Sequence, residues 1–305
     1  MTRPPLQVRA RTELTFSAGA DPSVDRPGHV RSGSALVWRG RDLVVVSDDA
    51  SFFAIVSLGE HLRVDAVSPV LVPHAPGGAR QFDDRRGNKA DKLDLEAAAL
   101  HGGSLLAFGS GSTPARRSVV AWDGAAAPRV VELSAFYDEL TRALAAGGTL
   151  NVEGAVVVGD RLFFAHRGNG DASGTSRVGS TSADELFRHA DGRGPCPRVG
   201  DVIEIGLGRV GGTPLTVTDL FDDDGVLSFV ASAEASPDAV RDGPVAGSVV
   251  GTLGSPAGAR LVVDADGRPF TGKIEGAARA RGALFAITDR DDPDAPAELL
   301  LLEAP

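Results

Sequence analysis

The segment LNVEGAVVVGDRLFFAHRGNG (Leu150 to Gly170) decides the fold, because it joins two apolar runs through a Gly-Asp turn and has a glutamate near its start. A turn of this kind between two short apolar runs is typical of a β-hairpin. The segments GKIEGAARARGALFAITDRDD (272–292) and LDLEAAALHGGSLLAFGSGS (93–112) repeat the pattern, again with an early glutamate. The repetition predicts an architecture built from equivalent hairpins.

Five positions become equivalent when the hairpins are aligned on the apolar residue that follows each turn. They recur about every sixty residues, an interval typical of neither helical solenoids nor coiled coils. The positions are Ser34, Glu96, Glu153, Thr218 and Glu275. Each unit contains short apolar segments separated by Gly, Pro or Asp-Gly, which predicts four strands. The sequence therefore predicts an all-β, five-bladed β-propeller forming a single domain over residues 1–305, with six blades as the alternative.

Two regions decide how the propeller is divided and closed. In the third unit, a Gly/Ser-rich insertion separates residues 168 and 200, and PLTVTDL (214–220) is predicted as the last strand, which leaves the fourth unit without a clear inner strand. The fifth unit ends one strand short, while the alternating segment Leu6–Phe16 has no partner. Pairing this segment with Glu298–Glu303 completes the last blade and removes two exposed edges. A β-sandwich is the rival fold, but it does not account for the recurring glutamate.

One segment predicts a helix between the second and third blades. In LSAFYDELTRALAAGG (133–148), Ser134 is the expected N-cap, apolar residues recur at Phe136, Leu140 and Leu144, and glycines follow. This spacing places the apolar residues on one helical face.

Composition excludes several classes of function. The net charge of −10, from 31 basic and 41 acidic residues, argues against non-specific binding of nucleic acid. No apolar run approaches the ~20 residues that span a bilayer, and the start of the chain lacks the apolar core of a signal peptide. The single cysteine, Cys196, cannot form an internal disulfide and has no recognisable base partner. We therefore expect a cytoplasmic protein with no nucleic-acid or membrane partner.

The recurring glutamates are predicted to meet at one rim of the central channel. In each blade the first two strands are antiparallel, so the start of one lies beside the end of the other. Glu153 should then lie near Arg167, and Glu275 near Asp289 and Arg290. By the same offset, Glu96 should lie beside Ser110, Ser34 beside Asp48 and Asp49, and Ser232 and Glu234 at the corresponding end in the fourth blade.

Two interpretations of this rim remain open. In the structural one, each glutamate bonds backbone amides or an arginine of the next blade and acts as a latch. In the functional one, the carboxylates form an axial pocket that holds a divalent cation such as Ca²⁺, or that supplies an acid, a base and a nucleophile for hydrolysis. The candidate catalytic residues are Glu96, Glu153, Glu275 and Arg167, and the candidate metal ligands are Glu153, Glu275, Asp48 and Asp289.

The second hairpin also resembles a known pattern. Lys92, Asp94, Glu96 and Ala97, followed by Gly-Ser-Gly-Ser at 109–112, resemble the Lys-x-Asp-apolar-Glu-Ala and Gly-Ser-Gly-Ser motifs of an uncharacterised bacterial β-propeller family. More distantly, the recurring apolar-Glu-Gly-Ala is similar to phytase-like, esterase-like and gluconolactonase-type propellers. That distant resemblance implies a divalent metal in the channel and hydrolysis of an ester or lactone.

The sequence thus leads to two hypotheses about function. The first is a protein that binds a small molecule at the propeller axis, or hydrolyses an ester or phosphoester there with the help of a metal. The alternative is a non-catalytic scaffold that binds a protein or ligand through its loops. A metal or a deep pocket at the carboxylate rim would favour the first.

Overall fold

A computed structural model describes residues 4–168, 175–235 and 243–304 of the chain. Most of these residues form β-strands. The first nine strands are β1 (Leu6–Glu13), β2 (Gly33–Arg39), β3 (Asp42–Ser47), β4 (Phe52–Leu58), β5 (Val64–Leu71), β6 (Leu95–His101), β7 (Ser104–Gly109), β8 (Ser118–Trp122) and β9 (Arg129–Glu132). The helix α1 (Ser134–Leu144) follows β9.

The second half of the chain contains the remaining strands and a second helix. The next four strands are β10 (Val152–Val158), β11 (Arg161–His166), β12 (Ser176–Ser182) and β13 (Gly200–Ile205), and the helix α2 (Ala183–Ala190) lies between β12 and β13. A small hairpin comprises β14 (Arg209–Val210) and β15 (Thr213–Pro214). The last strands are β16 (Thr216–Asp223), β17 (Val226–Glu234), β18 (Val245–Thr252), β19 (Ser255–Val263), β20 (Lys273–Ala280), β21 (Ala283–Asp289) and β22 (Glu298–Glu303).

The described strands form five four-stranded antiparallel units around a common axis. Four of them follow the chain, as β2–β5, β6–β9, β10–β13 and β16–β19, and the fifth has the order β1-β22-β21-β20. The first strand of each unit contacts the first strands of the units on either side, so β2, β6, β10, β16 and β20 form a closed cycle. The predicted all-β propeller is confirmed, with these five strands lining the axis.

The N-terminal strand closes the ring as predicted. β1 pairs antiparallel with β22, from Gln7 opposite Glu303 to Glu13 opposite Glu298. It also forms a short parallel pairing with β19, in which Leu6 lies opposite Val262. The fourth and fifth units are therefore joined into one continuous sheet of eight strands.

Hydrophobic clusters fill the junctions between successive units. The junction of the second and third units contains Phe108, Phe136 and Phe164, with the Phe108 and Phe164 rings perpendicular and 5.0 Å apart between centroids. Edge-to-face contacts of this kind stabilise aromatic pairs beyond the area that they bury. The other four junctions hold equivalent clusters of Val, Ala, Leu, Ile and Phe from facing strands. Packing between blades therefore fixes the positions of the first strands, which line the axis.

Two strand assignments made from sequence are wrong. Residues 214–220 do not end the third unit, because β16 is the first strand of the fourth. The missing strand of the third unit is β12, in the Gly/Ser-rich stretch, of which residues 169–174 lie outside the described part of the chain. Small residues suit β12 because a Cβ on Gly179 would lie only 3.0 Å from the Leu144 side chain of α1. Apolar periodicity is therefore absent where the strand lies under a helix.

The helix between the second and third blades is confirmed, but its N-cap differs. The N-cap position is Leu133, and Ser134 is the first helical residue. The Ser134 hydroxyl donates to Oε1 of Glu132 at 2.8 Å, and no side-chain hydrogen bond caps the start of the helix. Phe136, Leu140 and Leu144 are buried, as predicted. Among the described residues, no helix is both long enough and apolar enough to span a membrane.

Candidate functional site at one end of the axis

The five equivalent sequence positions all occupy β-bulges in the strands that line the axis. The register between the first two strands of each unit shifts at Ser34, Glu96, Glu153, Thr218 and Glu275. A bulge places one extra residue on a strand and redirects its side chain, and bulges are common beside binding sites. The recurring glutamate therefore marks a repeated backbone irregularity at one end of the axis.

Two of the glutamates are followed by a glycine, because the next blade packs too closely there to leave room for a side chain. A Cβ on Gly154 would lie 2.6 Å from the backbone nitrogen of Leu220, and a Cβ on Gly276 would lie 2.7 Å from that of Leu36. Distances of this size are incompatible with any side chain. In each Glu-Gly pair, the glutamate thus supplies a carboxylate near the axis and the glycine allows the neighbouring blade to pack closely.

The two neutral bulge residues join adjacent blades. Ser34 donates to the carbonyl oxygen of Leu95 at 2.6 Å, and Thr218 donates to that of Ile274 at 2.7 Å. Each acceptor immediately precedes a bulge glutamate in the next blade. Ser34 and Thr218 thus join adjacent blades through backbone carbonyl oxygens, whereas the glutamates lie among charged side chains.

Arg167 is the centre of one group of charges, which we call the Arg167 cluster: Arg167, Glu153, Glu234, Lys273 and Glu275. The Arg167 guanidinium lies 2.5 Å from Glu234 Oε2, 3.5 Å from Glu153 Oε1 and 4.0 Å from Glu275 Oε1. Lys273 Nζ lies 2.9 Å from Glu275 Oε1. All five side chains are at least nine-tenths buried. The cluster joins the third, fourth and fifth blades by ion pairs.

Lys92 is the centre of the second group, the Lys92 cluster: Asp48, Asp49, Lys92, Asp94 and Glu96. Lys92 Nζ lies 2.5 Å from Asp48 Oδ2, 2.9 Å from Asp49 Oδ1 and 2.9 Å from Asp94 Oδ1. This cluster joins the first two blades and has more carboxylates than cations.

Three carboxylates of the Lys92 cluster have the spacing of a metal site. Asp48, Asp94 and Glu96 each offer an oxygen within 4.8 Å of the others, and no other group of three His, Cys, Asp or Glu does so within residues 4–168, 175–235 and 243–304. Glu96 retains some accessible surface, and Asp48 Oδ1 is buried without a hydrogen-bond partner. The site therefore combines a reachable carboxylate with a buried acceptor that lacks a donor.

Backbone strain accompanies these side chains. Asp94 has φ +58°, and Ser32, whose hydroxyl lies 3.4 Å from Asp49 Oδ2, has φ +37°. Left-handed conformations are unfavourable for residues other than glycine and occur often at functional sites. Asp94 is further held by Arg116 at 2.9 Å.

Burial and neighbouring charges shift the pKa values of the carboxyls in the Lys92 cluster in different directions. Burial, followed by the charge of Asp49, raises the pKa of Asp48 to about 6. Burial raises the pKa of Glu96 well above its usual value, and the charges of Asp48, Asp94 and Glu153 act in the same direction. Burial also raises the pKa of Asp94, but Lys92 and Arg116 outweigh it and the net shift is downward. The influence of Glu153 on Glu96 links the two clusters across the axis.

The carboxyls of the Arg167 cluster are also shifted. Burial raises the pKa of Glu153 and of Glu275, although Arg167 and Lys273 oppose it. Burial raises the pKa of Asp289 as well, against the opposing charge of Lys273. A raised pKa favours the protonated carboxyl, which can donate a proton, whereas the Arg167 guanidinium remains charged because three glutamates raise its pKa against the effect of burial.

The predicted residues do not all meet in one group. Glu153, Glu275 and Arg167 come together, as expected, while Glu96 and Asp48 lie in the Lys92 cluster. The expected pairing of Arg290 with the rim is wrong, because its guanidinium lies 3.5 Å from Glu298 at the start of β22. Asp291, the next residue, lies 3.4 Å from Lys273 Nζ.

Sequence reasoning assigned no role to either buried lysine, although the chain carries a signal for them. There are only three lysines, and Lys92 and Lys273 each precede a bulge glutamate within a few residues. Charge balance explains their place, because a group of buried carboxylates needs an internal cation. Cys196 lies outside both clusters, and burial raises the pKa of its thiol, which argues against a reactive thiolate.

The chain belongs to the family described as Family of unknown function (DUF6929), whose model matches residues 29–303. No curated protein matches the chain significantly. Among solved structures it is similar to glutaminyl cyclase from Myxococcus xanthus, with a TM-score of 0.49 and 12% identity over 99% of this chain and 97% of that one. It is also similar to the PQQ-bound aldose sugar dehydrogenase from Streptomyces coelicolor, with a TM-score of 0.45 and 12% identity over 98% and 99% of the two chains.

An exo-1,5-alpha-L-arabinanase from a bovine ruminal metagenomic library is a third similar structure, with a TM-score of 0.45 and 9% identity over 92% of this chain and 94% of that one. Likenesses at these identities and TM-scores carry no argument about activity. Any function must therefore be argued from the two clusters.

Proposed function

We propose that this family member binds a small polar molecule in an acidic axial pocket and hydrolyses an ester or phosphoester bond there with the help of a divalent cation. The observation that carries the proposal is the trio Asp48, Asp94 and Glu96, whose oxygens lie within 4.8 Å of one another and which includes a buried acceptor without a donor, Asp48 Oδ1. Crowded carboxylates of this kind need a cation or shared protons.

The donor set fits a hard cation. Asp48, Asp94 and Glu96 offer only carboxylate oxygens, which Ca²⁺, Mg²⁺ and Mn²⁺ prefer over softer metals. This assignment keeps Asp48 from the predicted metal ligands and replaces Glu153, Glu275 and Asp289, which do not belong to the group of three carboxylates with metal spacing. When bound, such a cation polarises the scissile carbonyl or phosphoryl oxygen and acidifies a water molecule.

Glu153 is the general acid and base of this scheme. Its raised pKa favours the protonated carboxyl, and its neighbours Arg167 and Asn151 hold its position, with Asn151 Nδ2 donating to Oε1 at 2.7 Å. A water oxygen adds to the acyl carbon or phosphorus, the bond to the leaving oxygen breaks, and Glu153 gives its proton to that oxygen. The proton lost by the water then returns to Glu153, so an ester and water yield an acid and an alcohol.

A panel of p-nitrophenyl esters and phosphoesters, assayed in EDTA and then with added Ca²⁺ or Mn²⁺, tests the proposal. We expect turnover that depends on the cation and is lost in Glu153→Gln. Glu298→Gln is the matched control, because Glu298 pairs with Arg290 away from the axis. Absence of turnover, together with absence of any cation-induced rise in melting temperature, would contradict the proposal.

The scaffold remains the competing function, and one observation favours it. Arg167 contacts glutamates of three blades and so can serve purely to join them. In a scaffold, Glu153→Gln and Glu96→Gln would alter stability without altering the binding of any cation or small molecule. Measuring both quantities on the same variants separates the two functions.

A further inference from the structure

We infer that the Lys92 ammonium is the resident cation of the Asp48–Asp94–Glu96 trio, and that a divalent cation enters by exchange while the ammonium moves to Asp49. This inference rests on the proposed cation site and identifies Lys92 as the residue that sets its affinity. It also assigns Asp49 a function distinct from that of the metal ligands.

The ammonium already binds two of the three carboxylates of the site. Lys92 Nζ is 2.5 Å from Asp48 Oδ2 and 2.9 Å from Asp94 Oδ1, and both acids belong to the trio. The Lys92 side chain is only 6% exposed. A hard divalent cation binds carboxylate oxygens at about 2.0–2.6 Å, so it cannot share this space with an ammonium group. Occupation by one cation therefore excludes the other.

Asp49 provides a destination for the displaced ammonium. Its Oδ1 lies 2.9 Å from Lys92 Nζ, but Asp49 is not a member of the trio. Its side chain is 18% exposed, so this partner lies on the more open side of the lysine. The flexible stem of a lysine allows its head group to turn to one acceptor while it releases others. Lys92 can thus leave Asp48 and Asp94 without becoming an unpaired buried charge.

The Arg167 cluster supplies a matched control. Lys273 is buried and lies 2.9 Å from Glu275 and 3.4 Å from Asp291, an arrangement that resembles Lys92 with its acids. No trio of carboxylates with metal spacing surrounds Lys273 in the described part of the chain. A change at Lys273 therefore alters the local charge to the same extent without opening the proposed site.

The test measures Mn²⁺ binding by electron paramagnetic resonance and Ca²⁺ binding by competition, on the full chain. Lys92→Met removes the competing charge and should tighten Mn²⁺ binding by about tenfold or more, whereas Lys273→Met should leave it unchanged. Asp49→Asn removes the destination and should weaken binding by roughly fivefold. In the Lys92→Met background, Asp49→Asn should have no effect, because no ammonium remains to be moved.

The outcomes are distinguishable. If wild type binds Mn²⁺ but Lys92→Met binds it no more tightly, the exchange is wrong and the cation site stands. If neither protein binds Mn²⁺, both the site and the exchange are wrong. Should Lys92→Met fail to fold by circular dichroism, Asp49→Asn decides, since unchanged or tighter binding in that variant contradicts the exchange.

Discussion

Arg167 bonds most closely to a glutamate of another blade, since its Nη2 lies 2.5 Å from Glu234 Oε2 but its Nη1 lies 3.5 Å from Glu153 Oε1. We expect Glu234→Gln to lower the free energy of unfolding by about 2–3 kcal/mol, because the buried Arg167 guanidinium loses its closest charged partner and keeps at most a weaker hydrogen bond to a neutral amide. Glu153→Gln should change it by less than about 1 kcal/mol, since the Glu153 carboxyl is already driven toward its neutral form. Urea unfolding of both variants measures the difference, and equal losses would contradict this division of roles.

Stability of the cation-free protein should fall as the pH rises. The pKa of Asp48 is raised to about 6 from 3.8, and those of Glu96, Glu153 and Glu275 are raised as well. A carboxyl with a higher pKa in the folded state binds protons more strongly when folded, so stability is lost between the unfolded and folded values. Melting curves in EDTA should therefore shift downward from about pH 4.5 to about pH 7.

The pKa of Asp94 is lowered, so this residue makes the folded state more stable as the pH rises. That contribution is confined to pH values below its usual pKa of 3.8. Saturating Ca²⁺ should flatten the profile, because a bound cation favours the ionised carboxylates. A melting temperature that rises steadily across this range in EDTA would show that the raised pKa values are incorrect.

Gly154→Ala should destabilise the fold by about 1–3 kcal/mol, the usual cost of overpacking. The added Cβ would lie 2.6 Å from the Leu220 backbone nitrogen. Because this atom belongs to the backbone, the clash can be relieved only if the two blades move apart. Gly200, in the outer strand of the same blade, has nothing within 4 Å of the equivalent position. Gly200→Ala should consequently be neutral or slightly stabilising, and a similar loss in both variants would refute the close approach of the blades.

Removal of residues 1–13 should abolish the cooperative thermal transition. It deletes β1, which buries Leu6 and Val8 against the last blade and covers β22. The remaining chain would expose the edge of β22 and lose a contact with β19. Arg9→Ala is the control, because Arg9 forms only an exposed ion pair with Glu303, and such pairs contribute little. A truncated chain that melts like wild type would contradict a closing role for β1.

Much of the fold could be predicted because each blade carries its own local signals. Glycine-rich turns between short apolar runs identified nearly every hairpin, and the unpaired N-terminal segment identified the closure. The strand β12 was missed because small residues fill positions where an apolar pattern was expected: Gly179 packs against Leu144 of α1, and the Ser176 hydroxyl donates to the Arg167 carbonyl oxygen and accepts from the Val217 amide. Hydrophobic patterning reports burial against large side chains and is uninformative at such positions.

The candidate site was predicted in position but not in detail. The shared hairpin position of Glu96, Glu153 and Glu275 was enough to place them at one end of the axis. It could not reveal the division into two clusters, because which acid pairs with which cation depends on side-chain reach across blades. Arg290 shows the limit: one residue beyond the end of β21, its side chain turns to Glu298 and away from the axis.

The pairing of β1 with β22 also sets an order of events during synthesis. These strands lie near opposite ends of the sequence, so their contact is strongly non-local and closes a loop of nearly the whole chain. Blades formed early on the ribosome can pack in succession, but β1 waits without its main partner until β22 has emerged. Any chain that stops before Glu298 would hold an open ring with unpaired edges, which is the form most prone to join a second copy of itself.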